Sequence, residues 1–107
     1  MKITDIQAAV IGRQEPHSGG SVWTFVRVYT DAGIVGTGEC NSASAASGFA
    51  VKEAINAMKA ALLGKDPTDP GPIYEMLRRR GRYGGTGSPP IIFAITGIEN
   101  ALLDITG

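Results

Sequence analysis

Pro89-Pro90-Ile91-Ile92-Phe93-Ala94-Ile95-Thr96-Gly97-Ile98-Glu99-Asn100-Ala101-Leu102-Leu103-Asp104-Ile105-Thr106-Gly107 is the stretch whose reading decides the fold. At 100° per residue, Ile91, Ile95, Ile98, Leu102 and Ile105 fall on one face of a helix, and Ala94, Gly97 and Ala101 line its flank. Small residues at that spacing let a second backbone come close. The paired prolines suit a helix start, where a missing N–H has no intrahelical partner to lose. Such a helix is built to be covered, and with nothing following Gly107 to cover it, the chain is expected to be a piece of something larger.

Upstream the pattern changes period. Lys2 to Ile11 alternates loosely, with Thr4, Ile6, Ala8 and Val10 on one face and Ile3, Asp5, Gln7 and Ala9 on the other, which predicts a strand. Gly12 to Gly20 is a polar, glycine-ending loop. Ser21 to Thr30 restores alternation, Trp23, Phe25 and Tyr29 standing opposite Val22, Val26 and Val28. Asp31-Ala32-Gly33 is a tight-turn signal, and Ile34 to Cys40 returns as a third strand.

Helices follow. Asn41 to Ser47 is a Ser/Ala linker into a helix over 48–63, with Val51, Ala54, Ile55, Met58 and Leu62 at helical spacing and Gly64 as its stop. Asp69-Pro70 starts a shorter helix through Arg80 with Ile73, Met76 and Leu77 inward, and Gly81 to Ser88 reads as a loop. The order β-β-β-α-α-α predicts an α+β domain: a three-stranded antiparallel meander, then three helices on one face of the sheet.

The 107 residues are 43% hydrophobic and 19% charged, enough for one small domain. Ten basic residues balance ten acidic ones, so no bulk field draws the chain to nucleic acid or an anionic membrane. The single Cys40 allows no internal disulfide and suits a reducing cytoplasm. Neither a signal-peptide run nor about 18 consecutive apolar residues occurs, so a cytoplasmic chain is expected. Gly33, Gly36 and Gly38 lie in a hairpin with no helix at the distance a dinucleotide fingerprint needs. Glu39, Glu99 and Asp104 are too scattered to claim a metal site.

The run Ala94 to Gly107 resembles the signature helix of the mandelate racemase and muconate lactonizing branch of the enolase superfamily: small, any, small, small, aliphatic, acidic or Gln, any, Ala, Leu, any, acidic, aliphatic, any, Gly. Thr96 and Leu103 are its two departures. The resemblance implies that residues 1–107 are an enolase-like N-terminal capping domain. It further implies a (β/α)7β barrel of roughly 250 residues, absent from this chain, that would carry the metal ligands and the acid and base residues. It also implies Mg²⁺ as cofactor, bound by that barrel and stabilising the enolate formed when a base removes the proton α to a carboxylate. Gly64-Lys65-Asp66-Pro67 and Arg82-Tyr83-Gly84-Gly85 look most like the sugar-acid dehydratases of the branch. An acid-sugar dehydratase is therefore expected, with a racemase, epimerase or cycloisomerase as the alternative, and a stand-alone oligomerising or ligand-binding module as the alternative of another class.

Function on such a scaffold belongs in loops. By resemblance, the loop between the first two strands and the loop before the first helix fold over the barrel mouth, making His17, Ser18, Asn41 and Ser42 substrate contacts. The alternatives are an exposed histidine with no role and an ordinary Ser-rich linker. The cluster Arg78-Arg79-Arg80-Gly81-Arg82-Tyr83 admits a solvated helix end, a contact to a substrate carboxylate or a neighbouring domain, and, least, a nucleic-acid patch. Tyr83 is counted with the substrate contacts. No catalytic or metal-binding residue is expected in this chain. Its partners are expected to be a carboxylate-bearing acid sugar, its own barrel and further copies of itself.

Overall fold

The computed structural model describes residues 1–12, 22–40, 45–83 and 89–107. Three antiparallel strands, β1 (Ile3–Gly12), β2 (Val22–Thr30) and β3 (Val35–Cys40), form a sheet in the order β1-β2-β3. The turn after β2 holds Gly33 at φ 77°, a left-handed conformation that glycine adopts without a Cβ penalty. Thr30 locks that turn: its Oγ1 donates to the Ile34 carbonyl at 2.7 Å and accepts from the Ile34 N–H at 3.2 Å. The meander is as the alternation predicts.

One strand departs from simple alternation. Ile3 was expected opposite Ile6, yet both lie in the core, 2% and 1% exposed. The cause is an irregularity in register between Ile3 and Asp5, which inserts a residue and turns Ile3 inward. It is fixed from outside the sheet, because the Ile3 N–H donates to the Lys65 carbonyl at 2.8 Å and the Gly64 N–H donates to the Ile3 carbonyl at 2.9 Å.

The inner face of the sheet shrinks from β1 to β3. Ile6 on β1 and Val26 and Val28 on β2 present aliphatic side chains, whereas β3 turns only Gly36, Gly38 and Cys40 inward. The helices fill the space left above them: α1 (Ala45–Leu62), α2 (Pro70–Tyr83) and α3 (Pro89–Thr106). Along α1, Val51, Ile55, Met58 and Leu62 are buried, and from α2 Ile73 and Leu77 enter the same core. On α3, Ile95, Ile98 and Leu102 are buried, with Ile91 and Ile105 half-buried at the ends of the stripe.

The flank of small residues on α3 meets a backbone, as its spacing predicts, and that backbone is β3. A Cβ at Gly38 would overlap the Gly97 carbonyl oxygen, one at Gly97 would overlap the Cys40 Sγ, and one at Gly36 would overlap the Ala101 carbonyl oxygen and come within 2.6 Å of the Ile105 Cγ1. Helix and strand therefore touch with no layer of side chains between them.

Two helix ends differ from expectation. α1 begins at Ala45 rather than Gly48, since Ala45, Ala46 and Ser47 carry no feature that stops a helix from extending backwards. Gly81, Arg82 and Tyr83, read as loop, continue α2. A helical glycine costs only about 1 kcal/mol against alanine, so Gly81 alone does not end the helix. Gly64 does terminate α1, with φ 84°. Before α2, the Asp66 carboxylate accepts from the Thr68 N–H (2.8 Å) and hydroxyl (2.6 Å), forming the turn that delivers Asp69-Pro70.

Candidate functional site

The strand register sets the two ends of the sheet apart. At one end Gly12 pairs with Val22 and Thr24 with Cys40; at the other Ile3 pairs with Thr30, and Asp31-Ala32-Gly33 turns the chain. α3 runs antiparallel to β3, Gly97 lying against Cys40 and Ala101 with Ile105 against Gly36. Its first eight residues therefore extend beyond Cys40 by about 12 Å at 1.5 Å per residue. The C-terminus of α1 is tied to Ile3 at the far end, so its N-terminus points back toward Cys40. Residues 13–21, 41–44 and 84–88 thus all connect elements that end at one pole of the domain.

Of the sequence-predicted substrate contacts, His17, Ser18, Asn41 and Ser42 lie outside the described residues. Tyr83 closes α2, and its side chain lies outside them too. The described elements that flank His17, Ser18, Asn41 and Ser42 end at the pole where α3 starts. Four exposed apolar side chains lie at this pole, Ile11 and Trp23 as cross-strand partners near the end of the sheet, Phe49 in the second turn of α1 and Ile92 in the first turn of α3, while Met1, Ile34, Val35, Leu63 and Leu103 are exposed toward the other end. Sequence reasoning did not single these out, because isolated exposed apolar residues carry no signal until topology gathers them.

A groove of 710 Å³ opens between the helices, walled by Ala54, Ala57 and Met58 of α1, Pro72 and Met76 of α2, and Ile91 of α3. Glu75 and Arg79 lie on its rim, paired at 2.7 Å one helical turn apart and both well exposed. Arg79 is thereby partly neutralised, in keeping with a solvated helix end for the arginine cluster. The hairpin glycines also find their reason, since Gly36 and Gly38 clear the path of α3.

The described residues offer little acid–base chemistry. Burial pushes the Cys40 thiol up to about 11, with the Glu39 charge adding to the effect, so Cys40 stays a neutral thiol in the core. Lys59, then Gln7, hold the Asp5 carboxyl below its ordinary value. Burial raises the Tyr74 hydroxyl, and this buried oxygen has no hydrogen-bond partner among the described residues. Nor do three His, Cys, Asp or Glu side chains gather to hold a metal ion among them. No helix there is long and apolar enough to cross a membrane.

Residues 6–107 match the model of the mandelate racemase / muconate lactonizing enzyme N-terminal domain. The chain is 41% identical over 106 residues to the D-xylonate dehydratase of Haloferax volcanii, covering 99% of this chain and 23% of that protein. To the D-galactonate dehydratase of Pectobacterium atrosepticum it is 39% identical over 85 residues, 79% of this chain and 21% of that one. Among solved structures, the 3,6-anhydro-D-galactonate cycloisomerase of Zobellia galactanivorans superposes with a TM-score of 0.83 at 28% identity, covering 98% of this chain and 28% of that one. A mandelate racemase/muconate lactonizing enzyme-like protein from Rubrobacter xylanophilus gives 0.79 at 33% identity, covering 99% and 24%. The chain spans about a quarter of the length of these relatives.

Proposed function

Because the chain belongs to the mandelate racemase/muconate lactonizing enzyme family as its N-terminal domain, we propose that it caps the substrate of a larger enzyme that removes the proton α to a carboxylate and dehydrates an acid sugar. The observation that carries the substrate class is the 41% identity to a D-xylonate dehydratase across 99% of this chain. The capping role is supported by the ends of β1 and β3 and the starts of β2, α1 and α3, which share one pole where Ile11, Trp23, Phe49 and Ile92 are exposed. His17, Ser18, Asn41, Ser42 and Tyr83 would contact the part of the sugar remote from the reacting carbon. The apolar rim would exclude water around it.

Mg²⁺ is the cofactor of the proposed reaction, but the described residues do not fit it, for no set of three possible ligands comes together. Orientation and enclosure are what these residues can supply. The metal and the base belong to a separate barrel domain in this reading, and assembly into a homo-oligomer in the cytoplasm goes with it.

Loss of an α-hydrogen and a β-hydroxyl from an aldonic acid leaves an enol that becomes a 2-keto-3-deoxy acid. The test is to assay the whole enzyme with Mg²⁺ against a panel of acid sugars, reading that ketone with a carbonyl reagent. Release of the keto acid supports dehydration. An epimer or a cyclic isomer without water loss would instead favour the second reading, which the likeness to a cycloisomerase motivates. Silence on every acid sugar, or turnover by residues 1–107 alone, would overturn the capping-domain proposal.

A further inference from the structure

Asp104 is placed against expectation. It lies in the last turn of α3, where the helix dipole disfavours negative charge and no basic residue offsets it. Its carboxylate reaches off the helix to β3, where Oδ2 accepts the Thr37 backbone N–H at 2.9 Å, joining residues 67 apart in sequence. Among the described residues β3 is an edge strand, paired only with β2. The Thr37 N–H therefore points away from the ladder, toward the side on which another strand would add.

The opposite edge is treated alike. On β1, the Asp5 Oδ1 accepts the Ile6 N–H at 2.9 Å, with Lys59 pairing the same carboxylate, while the Ile3 N–H and carbonyl are taken by Lys65 and Gly64. Each free edge of this small sheet has an outward N–H occupied by an aspartate. An unpaired edge is a template for another strand, and a carboxylate on its donor both satisfies the hydrogen bond and sets a charge in the path of an incoming backbone.

We infer that Asp104 is an edge guard: its carboxylate closes β3 to strand addition by a second copy of this chain. The guard is selective about what it blocks. With Thr37 uncapped, β3 of two copies could pair antiparallel about Thr37, setting Val35 of each copy opposite Glu39 of the other and exchanging both bonds at Thr37. With the cap in place, further copies can assemble only through other surfaces.

Asp104→Ala removes both acceptor and charge, Asp104→Asn keeps an acceptor without the charge, and Thr37→Pro removes the donor at an edge position where proline is tolerated. At dilution that keeps Asp104→Ala monomeric, the Thr37 amide should exchange with solvent about tenfold faster or more, while that of Val28 in the central strand holds. Sedimentation over a concentration series should show Asp104→Ala more associated than the parent chain, Asp104→Asn close to the parent, and the Asp104→Ala/Thr37→Pro double variant restored to it. Thr37→Pro alone should melt near the parent, and if Asp104→Ala does not fold, this variant and Asp104→Asn carry the test. The inference is overturned by unchanged Thr37 exchange in Asp104→Ala, by equal association of Asp104→Ala and the double variant, by Asp104→Asn associating as much as Asp104→Ala, or by unfolding of Thr37→Pro.

Discussion

The two ends of the sheet make opposite use of their residues. At the end near Ile3, backbone meets backbone: Ile3 with Gly64 and Lys65, Asp31 with Lys2, and Thr30 with Ile34. At the end near Cys40, the strands and the helix starts lead into connecting segments instead. The first end closes the domain on itself, and the second is the one that the proposed capping role turns toward substrate. On that proposal stability and function are separated along one axis, and changes at each end should read out in different assays.

The sharpest challenge to that separation is between the two ends, in the seam of β3 and α3. Gly38→Val would drive a branched side chain into the Gly97 carbonyl, and backbone cannot yield as a flexible side chain does. We expect a loss of about 3 kcal/mol or more, a large share of a small domain's stability, measured by urea unfolding. A loss under about 1 kcal/mol would mean that α3 can lift from the strand.

On the proposed capping role, His17→Ala in the whole enzyme should lower kcat/KM by the equivalent of about 1–3 kcal/mol while leaving the melting temperature unchanged. A fall in melting temperature with intact kinetics would move His17 to the structural side of the comparison.

Cys40 sits where strand meets connecting segment, so its titration reports which side it belongs to. Its raised value means that the folded chain favours the neutral thiol. That contribution is fully present below the unfolded thiol value near 9 and is lost as pH rises from there through about 11. Stability should fall over that window in the parent and less in Cys40→Ala, and alkylation at neutral pH should be slow until the chain unfolds. Fast alkylation of the native chain would show that the Cys40 end opens. The smallest effect is expected from Tyr74→Phe, which removes a buried hydroxyl without a described partner and should change stability by no more than about 1 kcal/mol, toward greater stability. A larger loss would reveal a partner for that hydroxyl.

The legibility of the sequence follows the same axis. The stripe on α3, the valines of β2, and Gly33 and Gly64 as left-handed stops are local signals, each set by period or by φ, and the structure agrees with them. The inward turn of Ile3 was not legible, since it depends on hydrogen bonds to Gly64 and Lys65, some sixty residues away. The reach of α2 past Arg80 was obscured because glycine punctuates loops and helices alike. At the candidate site, the family pattern pointed to residues but no periodicity joined them; only the antiparallel course of α3 along β3 puts the start of α3 at the pole where β1 and β3 end.

The contact of β3 with α3 also bears on how such a domain can diversify. With Gly36 and Gly38 against the α3 backbone and Gly97 against Cys40, strand and helix form one stiff member, and the roots of two connecting segments, at Cys40 and Pro89, are fixed to it a set distance apart. Insertions or substitutions in those segments would alter what they reach without shifting where they start. A seam cushioned by flexible side chains would let every such change leak into the core. Here the foundation stays put while the superstructure varies, so changes in those segments carry little risk to folding.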